Sequence, residues 1–436
     1  MPILSPEIRQ KQEARLIADD KYLYNSSKFD SPLRRAYSFH YIWGIAGDCD
    51  FFLPKEGTMN RNLQTASIGI LSGLILLGLS VDGSAGQNHQ WKGKIETVDG
   101  VKVIRNPNEP LYGDIKLDLE EDLKIGNPDD ENYLFYRVRG IDVDNEGNIY
   151  VADMSNFRIQ KFDKAGKYLL TIGRKGQGPG EFDLPMAVHI EEKTGNILVQ
   201  DQAYTIEIFA PDGKPIRSMR LETAFRGFSI TSDGTIVALM TVTSGTTANH
   251  RLARISPEGK AAQVYVDVPY TMHIEQVAGG TMSVTTGHEL ALQFDRIGGD
   301  SFVNGYSKEY AFSIIDLAGK PFLRFTKEEP APKFTSKEKA RFKRIPLPEN
   351  KPYFYALFTD DMGRIYVQRN NTWAEEGDIQ KEIDVFSRDG YFLYRTKLPK
   401  HTAVIRSGYV YALEVNDDEI VKRFKIKNWG TFKSGL

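Results

Sequence analysis

The sequence is short of cysteine, of net charge and of long hydrophobic runs, and each shortage excludes a class of protein. Cys49 is the only cysteine among 436 residues, so an intramolecular disulfide and a cysteine-based zinc cluster are both impossible. The formal net charge of −2 provides no bulk field for nucleic acid or for an anionic membrane surface. We therefore expect no nucleic-acid partner.

One apolar run is present, TMNRNLQTASIGILSGLILLGLSVDGSAGQ at residues 58–87. Its uncharged core, residues 68–81, is shorter than the about 20 apolar residues that a membrane-spanning helix needs. It fits a secretory signal, with Arg61 before the core and small residues ending at Ala85 after it. We interpret residues 59–85 as a cleaved signal peptide, which predicts an exported, periplasmic or extracellular protein without a stable membrane anchor. A buried helix is the alternative, although glycines and serines weaken it.

Residues 1–58 show no clear periodicity, and we interpret them as a non-native or disordered leader. The codons for Lys55-Glu56-Gly57 can spell a bacterial ribosome-binding site just upstream of Met59. The hypothesis is that translation starts at Met59. The mature protein would then contain no thiol, which suits an oxidising compartment.

From about Arg139 onward one four-strand pattern recurs, and its clearest copy is GIDVDNEGNIYVADMSNFRIQKFDKAGKYLLTIG at residues 140–173. The turn between the third and fourth strands contains a glycine in five copies, as a turn with positive φ requires. These glycines are Gly166, Gly213, Gly259, Gly319 and Gly390. Four strands in each unit of about 40–50 residues are the signature of a propeller blade. We predict an all-β fold, a six-bladed β-propeller of four-stranded antiparallel blades over residues 91–436.

The sixth copy is incomplete, because residues 402–427 supply only three strands. We predict that an N-terminal strand closes this last blade, since closure removes an exposed sheet edge. The candidate is DGVKVIRNP at residues 99–107. Longer intervals predict insertions at residues 269–287 and 327–352, and the charged segment at residues 336–343 is expected to be helical.

The first repeat resembles an NHL repeat. The likeness is carried by GNIYVAD, by N-x-R-I with F-D-x-x-G-K, and by GRKGQGPGEFDLP, which leads into the next blade. Residues 91–436 as a whole resemble the bacterial six-bladed β-propeller proteins of the NHL-repeat type. Blade 3 departs from the pattern, with Met240 near the position of the aspartate in YVAD. The resemblance implies an extracytoplasmic, often scaffold-like role and leaves the biochemical activity open.

Two motifs invite functional interpretations that their spacing does not support. GRKGQGPGEF has the spacing of neither a P-loop nor a dinucleotide-binding loop, so we interpret it as a tight connection between blades. Asp142, Asp144 and Asp153 suggest calcium, but strand alternation separates them and their spacing departs from the EF-hand. We expect these carboxylates to bind turn amides instead.

Histidines leave a zinc site open as an alternative. Amidating lyases are similar NHL-type propellers and hold zinc with histidines of their inner strands, so the resemblance implies comparable positions here. Four histidines lie near the predicted starts of inner strands or in the loops before them: His189, His273, His288 and His401. No spacing requires them to converge, so isolated histidines are the default and no cofactor is predicted.

The loops on one face of the propeller axis are the predicted ligand-binding region. Basic and aromatic residues expected there are Arg139, Arg174, Lys175, Arg226, Arg369 and Trp373. Such residues suit a carboxylate, glycan or peptide, although solvated loop charge is the alternative. The leading prediction is a non-enzymatic binding or scaffold module for an unknown protein, peptide or glycan. The competing prediction is a metal-dependent lyase or hydrolase, using zinc or calcium, at the mouth of the central channel.

Overall fold

The computed structural model describes residues 90–277, 280–284, 286–343, 345–370, 380–399, 401–415 and 418–435. The leader, the signal-like segment, Cys49 and Trp373 lie outside these ranges. Within them, no helix combines the length and the apolar character needed to cross a bilayer.

Six units of four antiparallel strands form the fold, which confirms the prediction of a six-bladed β-propeller. Three strands precede the first complete blade: β1 (Lys94–Val98), β2 (Val101–Asn106) and β3 (Leu119–Ile125). Blades 1 and 2 contain β4 (Val138–Val143), β5 (Ile149–Asp153), β6 (Arg158–Phe162), β7 (Tyr168–Ile172), β8 (Pro185–Ile190), β9 (Ile197–Asp201), β10 (Thr205–Phe209) and β11 (Pro215–Arg220).

The remaining blades follow in chain order, with one extra hairpin between blades 3 and 4. Blade 3 contains β12 (Phe225–Ile230), β13 (Ile236–Ser244), β14 (Thr247–Ile255) and β15 (Ala261–Tyr270). The hairpin is β16 (His273–Val277) and β17 (Gly280–Val284), and blade 4 contains β18 (Leu292–Arg296), β19 (Phe302–Tyr306), β20 (Ala311–Ile315) and β21 (Pro321–Lys327). Blades 5 and 6 contain β22 (Phe354–Thr359), β23 (Ile365–Arg369), β24 (Gln380–Phe386), β25 (Phe392–Pro399), β26 (Thr402–Arg406), β27 (Tyr409–Val415) and β28 (Glu419–Ile426).

The second strand of blade 1 shows why the blades pack as a ring. Every residue of β5 is buried, because neighbouring blades cover both of its faces. Ile149 and Val151 join the hydrophobic cluster shared with blade 6, whereas Tyr150 and Ala152 join the cluster shared with blade 2. Strand alternation therefore divides one short segment between two interfaces.

The turn glycines adopt the backbone that the repeat pattern predicts. The φ angles of the five glycines between third and fourth strands run from 73° at Gly319 to 82° at Gly390. At Gly259 an added Cβ would also lie 1.9 Å from the carbonyl oxygen of Arg220, so any side chain would be excluded there.

The last blade is closed by an N-terminal strand, but not by the one predicted. Strand β3 pairs antiparallel with β28 and supplies the fourth strand of blade 6. The prediction that residues 99–107 do this is wrong, because β2 runs parallel to β21 and extends blade 4 to six strands. Ile104 is buried in the cluster between blades 4 and 5, and Asn106 donates to the carbonyl oxygen of Gly390 at 2.8 Å. These contacts fix β2 at the outer edge of blade 4.

Both predicted insertions contain secondary structure of their own. The first forms the β16–β17 hairpin. The second contains helix α1 (Ser336–Arg341), which confirms the expected helix. Thr335 and Glu338 form a capping box at its start, a pairing that satisfies two otherwise free backbone donors.

The first strands of the blades line the central channel and contact one another. The carboxylate of Asp142 in β4 accepts the backbone N–H of Ile190 in β8 at 2.8 Å. In the equivalent position of β18, Asp295 accepts the backbone N–H of Thr359 in β22 at 2.7 Å. At Gly140 an added Cβ would lie 3.0 Å from the Cα of Ala187, so β4 and β8 approach closely.

Candidate functional site

A repeated backbone contact defines one end of the channel, which we call the upper face. In each blade, the residue after or near the end of the second strand donates its backbone N–H to a carbonyl at the start of the first strand, at 2.7–3.1 Å. The six donor–acceptor pairs are Ser155–Tyr136, Gln202–Leu184, Thr241–Ala224, Ser307–Ala291, Asn370–Tyr353 and Leu413–His401. The first strands therefore begin on the same face as the loops between second and third strands.

A ring of bulged residues surrounds the upper mouth of the channel. In five blades, the pairing of the first strand with the second shifts by one residue at the second position of the first strand. The residues left over by these shifts are Arg139, Met186, Arg226, Tyr355 and Ala403. All five are partly exposed. A β-bulge redirects its extra side chain, so this position is set by backbone geometry rather than by loop sequence.

The side chain of Arg226 packs against a stacked pair of buried rings, those of Tyr270 and His250. Its guanidinium lies 5.0 Å from the ring centroid of Tyr270, and that ring stacks on His250 at 4.0 Å. His250 accepts the backbone N–H of Leu292 through Nδ1 at 3.1 Å. Burial, with a smaller effect of Arg226, lowers the pKa of His250 to about 2, so its imidazole is neutral.

Beside Arg226 lies a small cavity of about 20 Å³, enough for one water molecule. Glu289 and Tyr355 also line it. The hydroxyl of Tyr355 lies 3.0 Å from Nδ1 of His288, whose ring is packed edge-on against Phe334. Burial lowers the pKa of His288, so a neutral histidine orients this tyrosine.

Arg139 lies at the same mouth in blade 1, close to Glu419. The Glu419 carboxylate accepts the backbone N–H of Val138 at 2.6 Å. Burial raises the pKa of Glu419, and the nearby Arg139 and Arg137 oppose that rise. Arg139 thus faces one partly buried carboxylate within the protein.

Arg174 and Lys175 lie on the rim, in the connection between β7 and β8. Arg174 is largely exposed and forms an ion pair with Glu181 at 3.0 Å. The Lys175 ammonium lies 4.7 Å from the ring centroid of Phe157, in the loop between β5 and β6. The glycine-rich segment here joins two blades, as predicted from its sequence.

Arg369 does not join the ring at the mouth. Its guanidinium is paired with Glu329 and lies 3.8 Å from Asp384 and 3.4 Å from Glu382. The Lys327 ammonium is fully buried in the same network. Arg369 is therefore part of an ion network between blades 4 and 5, and Trp373 lies outside the described residues.

The four candidate zinc ligands are distributed over different parts of the molecule. His189 lies near the far end of β8 beside Asp142, and His273 is in the β16–β17 hairpin. His288 and His401 precede β18 and β26. In the part of the chain that the structure describes, no group of three or more His, Cys, Asp or Glu residues could hold a metal ion.

The aspartates that suggested calcium bind backbone amides. Asp144 accepts the N–H groups of Glu146 and Asn148, and Asp153 accepts the N–H of Tyr136. Asp142 accepts the backbone N–H of Ile190 in blade 2. The predicted binding of turn amides is therefore confirmed for Asp144, whereas Asp142 binds a strand of the next blade and Asp153 binds the segment before β4.

Sequence reasoning placed Arg139 and Arg226 at the mouth but missed the other members of the ring. Met186, Tyr355 and Ala403 carry no functional motif. The dipeptide Arg-Gly at residues 139–140 and 226–227 is the available signal, since the glycine follows the bulged position in both blades.

The fold and the mouth define a class, the six-bladed β-propeller with a channel lined by the first strand of each blade. Residues 129–234 match a family model described as a 6-bladed beta-propeller. This match covers blades 1 and 2 and the first strand of blade 3.

Two curated proteins are similar over short segments. The Protein brain tumor of Drosophila melanogaster is 28% identical over 109 residues, covering 24% of this chain and 10% of that protein. The peptidylglycine alpha-amidating monooxygenase of Rattus norvegicus is 34% identical over 88 residues, covering 19% of this chain and 9% of that protein. The matches span about a tenth of the length of these relatives.

The solved structures that match this chain are more distant in sequence. A Bacteroides fragilis protein thought to be exported is 14% identical, with a TM-score of 0.47, covering 74% of this chain and 99% of that one. The virginiamycin B lyase of Staphylococcus aureus is 11% identical, with a TM-score of 0.38, covering 71% and 99%. At these values neither structure bears on the activity of this chain.

Proposed function

We propose that this protein is an exported, bacterial propeller of the NHL-repeat type that binds an anionic ligand at the upper mouth of its channel. The observation that carries the proposal is the ring of bulges, which places Arg139 and Arg226 at equivalent positions of blades 1 and 3. Arg174 and Lys175 add positive charge on the rim between blades 1 and 2. The signal-like segment at residues 58–87 supports export, and the GNIYVAD-type motifs support the repeat type.

A carboxylate-bearing glycan or peptide is the ligand class that this arrangement favours. Guanidinium groups bind carboxylates through two parallel hydrogen bonds, and tyrosine adds a neutral donor and an apolar face. Tyr355, whose hydroxyl lies 3.0 Å from Nδ1 of His288, is assigned this role at the edge of the ring. Glu289 and Glu419 limit the excess positive charge, which favours a ligand with few carboxylates over a dense polyanion.

Calorimetric titration tests the proposal with two probes that carry a single carboxylate, a disaccharide with one uronic acid and a short peptide with blocked termini and one glutamate. We expect one probe to bind and to lose about tenfold or more in affinity in Arg226→Gln, because a charge-assisted hydrogen bond contributes about 1.5–3 kcal/mol. Arg226→Lys should retain part of the binding. The matched control is Arg217→Gln, on the exposed outer strand of blade 2.

Two results would count against the proposal. Failure of both probes to bind at low salt would contradict the proposal that the mouth binds an anionic ligand. Equal losses in the Arg217→Gln control would show only a general charge effect. Metal analysis of the purified protein addresses the lyase or hydrolase alternative, for which stoichiometric zinc or calcium would be required.

A further inference from the structure

A groove on the side of the molecule lies between blades 3 and 4, and Glu309 of the upper-face loop is part of its lining. Its volume is about 390 Å³, within the range of small-molecule sites. One wall is the face of blade 4 that points towards blade 3, and the other includes Val266 of β15. Val98 and Val103 of the β1–β2 hairpin also line it.

The floor of the groove consists of two rows of cross-strand neighbours. Asn304, Ser313, Arg324 and Val103 form one row across β19, β20, β21 and β2. Ala311 and Thr326 are neighbours in the second row, two residues further along the strands. The floor is thus made of small and polar side chains.

The equivalent position of the third strand carries a larger side chain in blades 1 and 5. In blade 1 it is Gln160, which is buried and donates to the carbonyl oxygen of Asn132 at 3.0 Å. In blade 5 it is Asp384, which accepts the hydroxyl of Tyr310 at 2.6 Å and pairs with Lys327.

Blade 4 has only Ser313 at this position, and the groove opens there. The opposite face of blade 4 packs densely through Phe312 and Phe325 against blade 5. The open space is therefore on the side of blade 4 that faces blade 3.

Two residues of opposite charge that lack an ion-pair partner among the described residues line the groove. Among the described residues, Arg324 has no carboxylate within ion-pairing distance, and Glu309 has no basic partner. Both residues are exposed and line the groove. The second nearby arginine, Arg105, is already paired with Glu96 at 2.6 Å.

We propose that this groove binds a short peptide of two or three residues with both termini free. The α-carboxylate pairs with Arg324 and the α-ammonium with Glu309, while apolar side chains lie against Val98, Val103 and Val266. The row of Arg324 and the row of Ala311 are about 7 Å apart, and Glu309 lies beyond the second row. A tripeptide extends to about 10 Å, which matches this separation of charges.

Calorimetric titration with Leu-Ala-Leu tests the proposal through its blocked derivatives. N-acetylation and C-amidation should each weaken binding by about tenfold, since each removes one charge-assisted hydrogen bond. In Arg324→Gln the free acid and the amide should bind equally. In Glu309→Gln the free amine and its acetylated form should bind equally.

Matched variants separate this site from the upper mouth. Ala311→Trp should fill the groove and abolish binding, with its melting temperature measured to verify folding. Arg217→Gln and Arg226→Gln should leave peptide binding unchanged. Loss of binding in Arg226→Gln would place the peptide at the mouth and overturn the assignment.

Three other outcomes would also reject it. They are no heat signal at millimolar peptide, full binding in folded Ala311→Trp, and equal binding of the peptide blocked at both ends. The last result would indicate an internal peptide segment rather than a free one.

Discussion

At the scale of single residues, one position of the repeat distinguishes the first two blades from the other four. Asp153 and Asp201 end the second strands of blades 1 and 2 and accept amides at the start of the first strand. The register places Met240 at the same position of blade 3, as the sequence indicated. Tyr306, Arg369 and Ala412 occupy it in the other blades.

Asp153 is a fully buried carboxylate at this position, so its loss is the first prediction. Its carboxylate accepts from Tyr136 N, from Asn156 Nδ2 and from Arg158 Nε at 2.8–2.9 Å, and it is fully buried. We expect Asp153→Asn to lower the free energy of unfolding by about 2–3 kcal/mol, because charge-assisted bonds are lost in the interior. Urea unfolding of the purified protein measures this.

Asp389→Asn is the control, since Asp389 is exposed in a turn. It should change stability by less than about 0.5 kcal/mol. Equal stability of the Asp153 and Asp389 variants would contradict the role assigned to Asp153.

The same scale shows what sequence reasoning could and could not place. Arg139 and Arg226 were assigned to the mouth because they precede a first strand. Arg369 ends a second strand, and the repeat pattern does not predict that it pairs with Glu329 and Asp384. Those partners come from an insertion and from the next strand, so the pairing of Arg369 was not predictable from spacing.

At the scale of elements, turns and strand order were predictable, whereas bulges and interfaces were not. A turn glycine with positive φ leaves a local signal in the sequence. A bulge depends on the register between two strands, and the groove depends on how blade 3 faces blade 4. Neither the strand register nor the interface between the two blades can be predicted from a single segment of the sequence.

The contact between the first strands of blades 4 and 5 predicts a specific pH dependence. Burial raises the pKa of Asp295 from 3.8 to about 6, against the opposing effect of backbone and hydroxyl donors, including Thr359. Because this pKa is higher in the folded state, the native protein binds more protons between pH 4 and 6. The contribution of Asp295 to stability therefore falls as pH rises through this window.

Asp295→Asn removes that titration, so stability relative to wild type should improve as pH rises from about 4 to 7. A shift of about two pKa units corresponds to about 2–3 kcal/mol over this range. Urea unfolding at several pH values measures the difference between the two proteins. Parallel curves for wild type and variant would contradict the assignment, and Asp389→Asn should parallel the wild type.

At the scale of the whole molecule, the ring is held both around its circumference and across its axis. At the lower end of the channel, Glu192 in blade 2 pairs with Arg296 of blade 4 at 2.7 Å and with Arg406 of blade 6 at 3.3 Å. Around the ring, β3 joins the beginning of the described chain to β28 near its end. Both connections link segments far apart in sequence, which is why no repeat pattern indicates them.

The choice of closing strand shows the limit of pattern reasoning for the ring. Residues 99–107 alternate between apolar and polar side chains as a strand does. Without an added strand, both β21 and β28 would have an unpaired edge. Side-chain fit decides between them: Ile104 fills the cluster between blades 4 and 5, whereas Ile125 fills the cluster between blades 6 and 1. Strand β3 carries four charged residues in LEEDLKI, so its apolar signal is weak.

Two truncations distinguish the closure by β3 from closure by β2. Removal of the chain up to residue 107 deletes Ile104 and Asn106, so the melting temperature should fall, but β3 remains and the ring stays closed. Removal up to residue 125 also deletes β3 and leaves β28 as an open edge, which favours aggregation. We expect slow amide exchange in β28 to persist in the first variant and to be lost in the second. Equal exchange of β28 in the two truncations would show that β3 does not close the propeller.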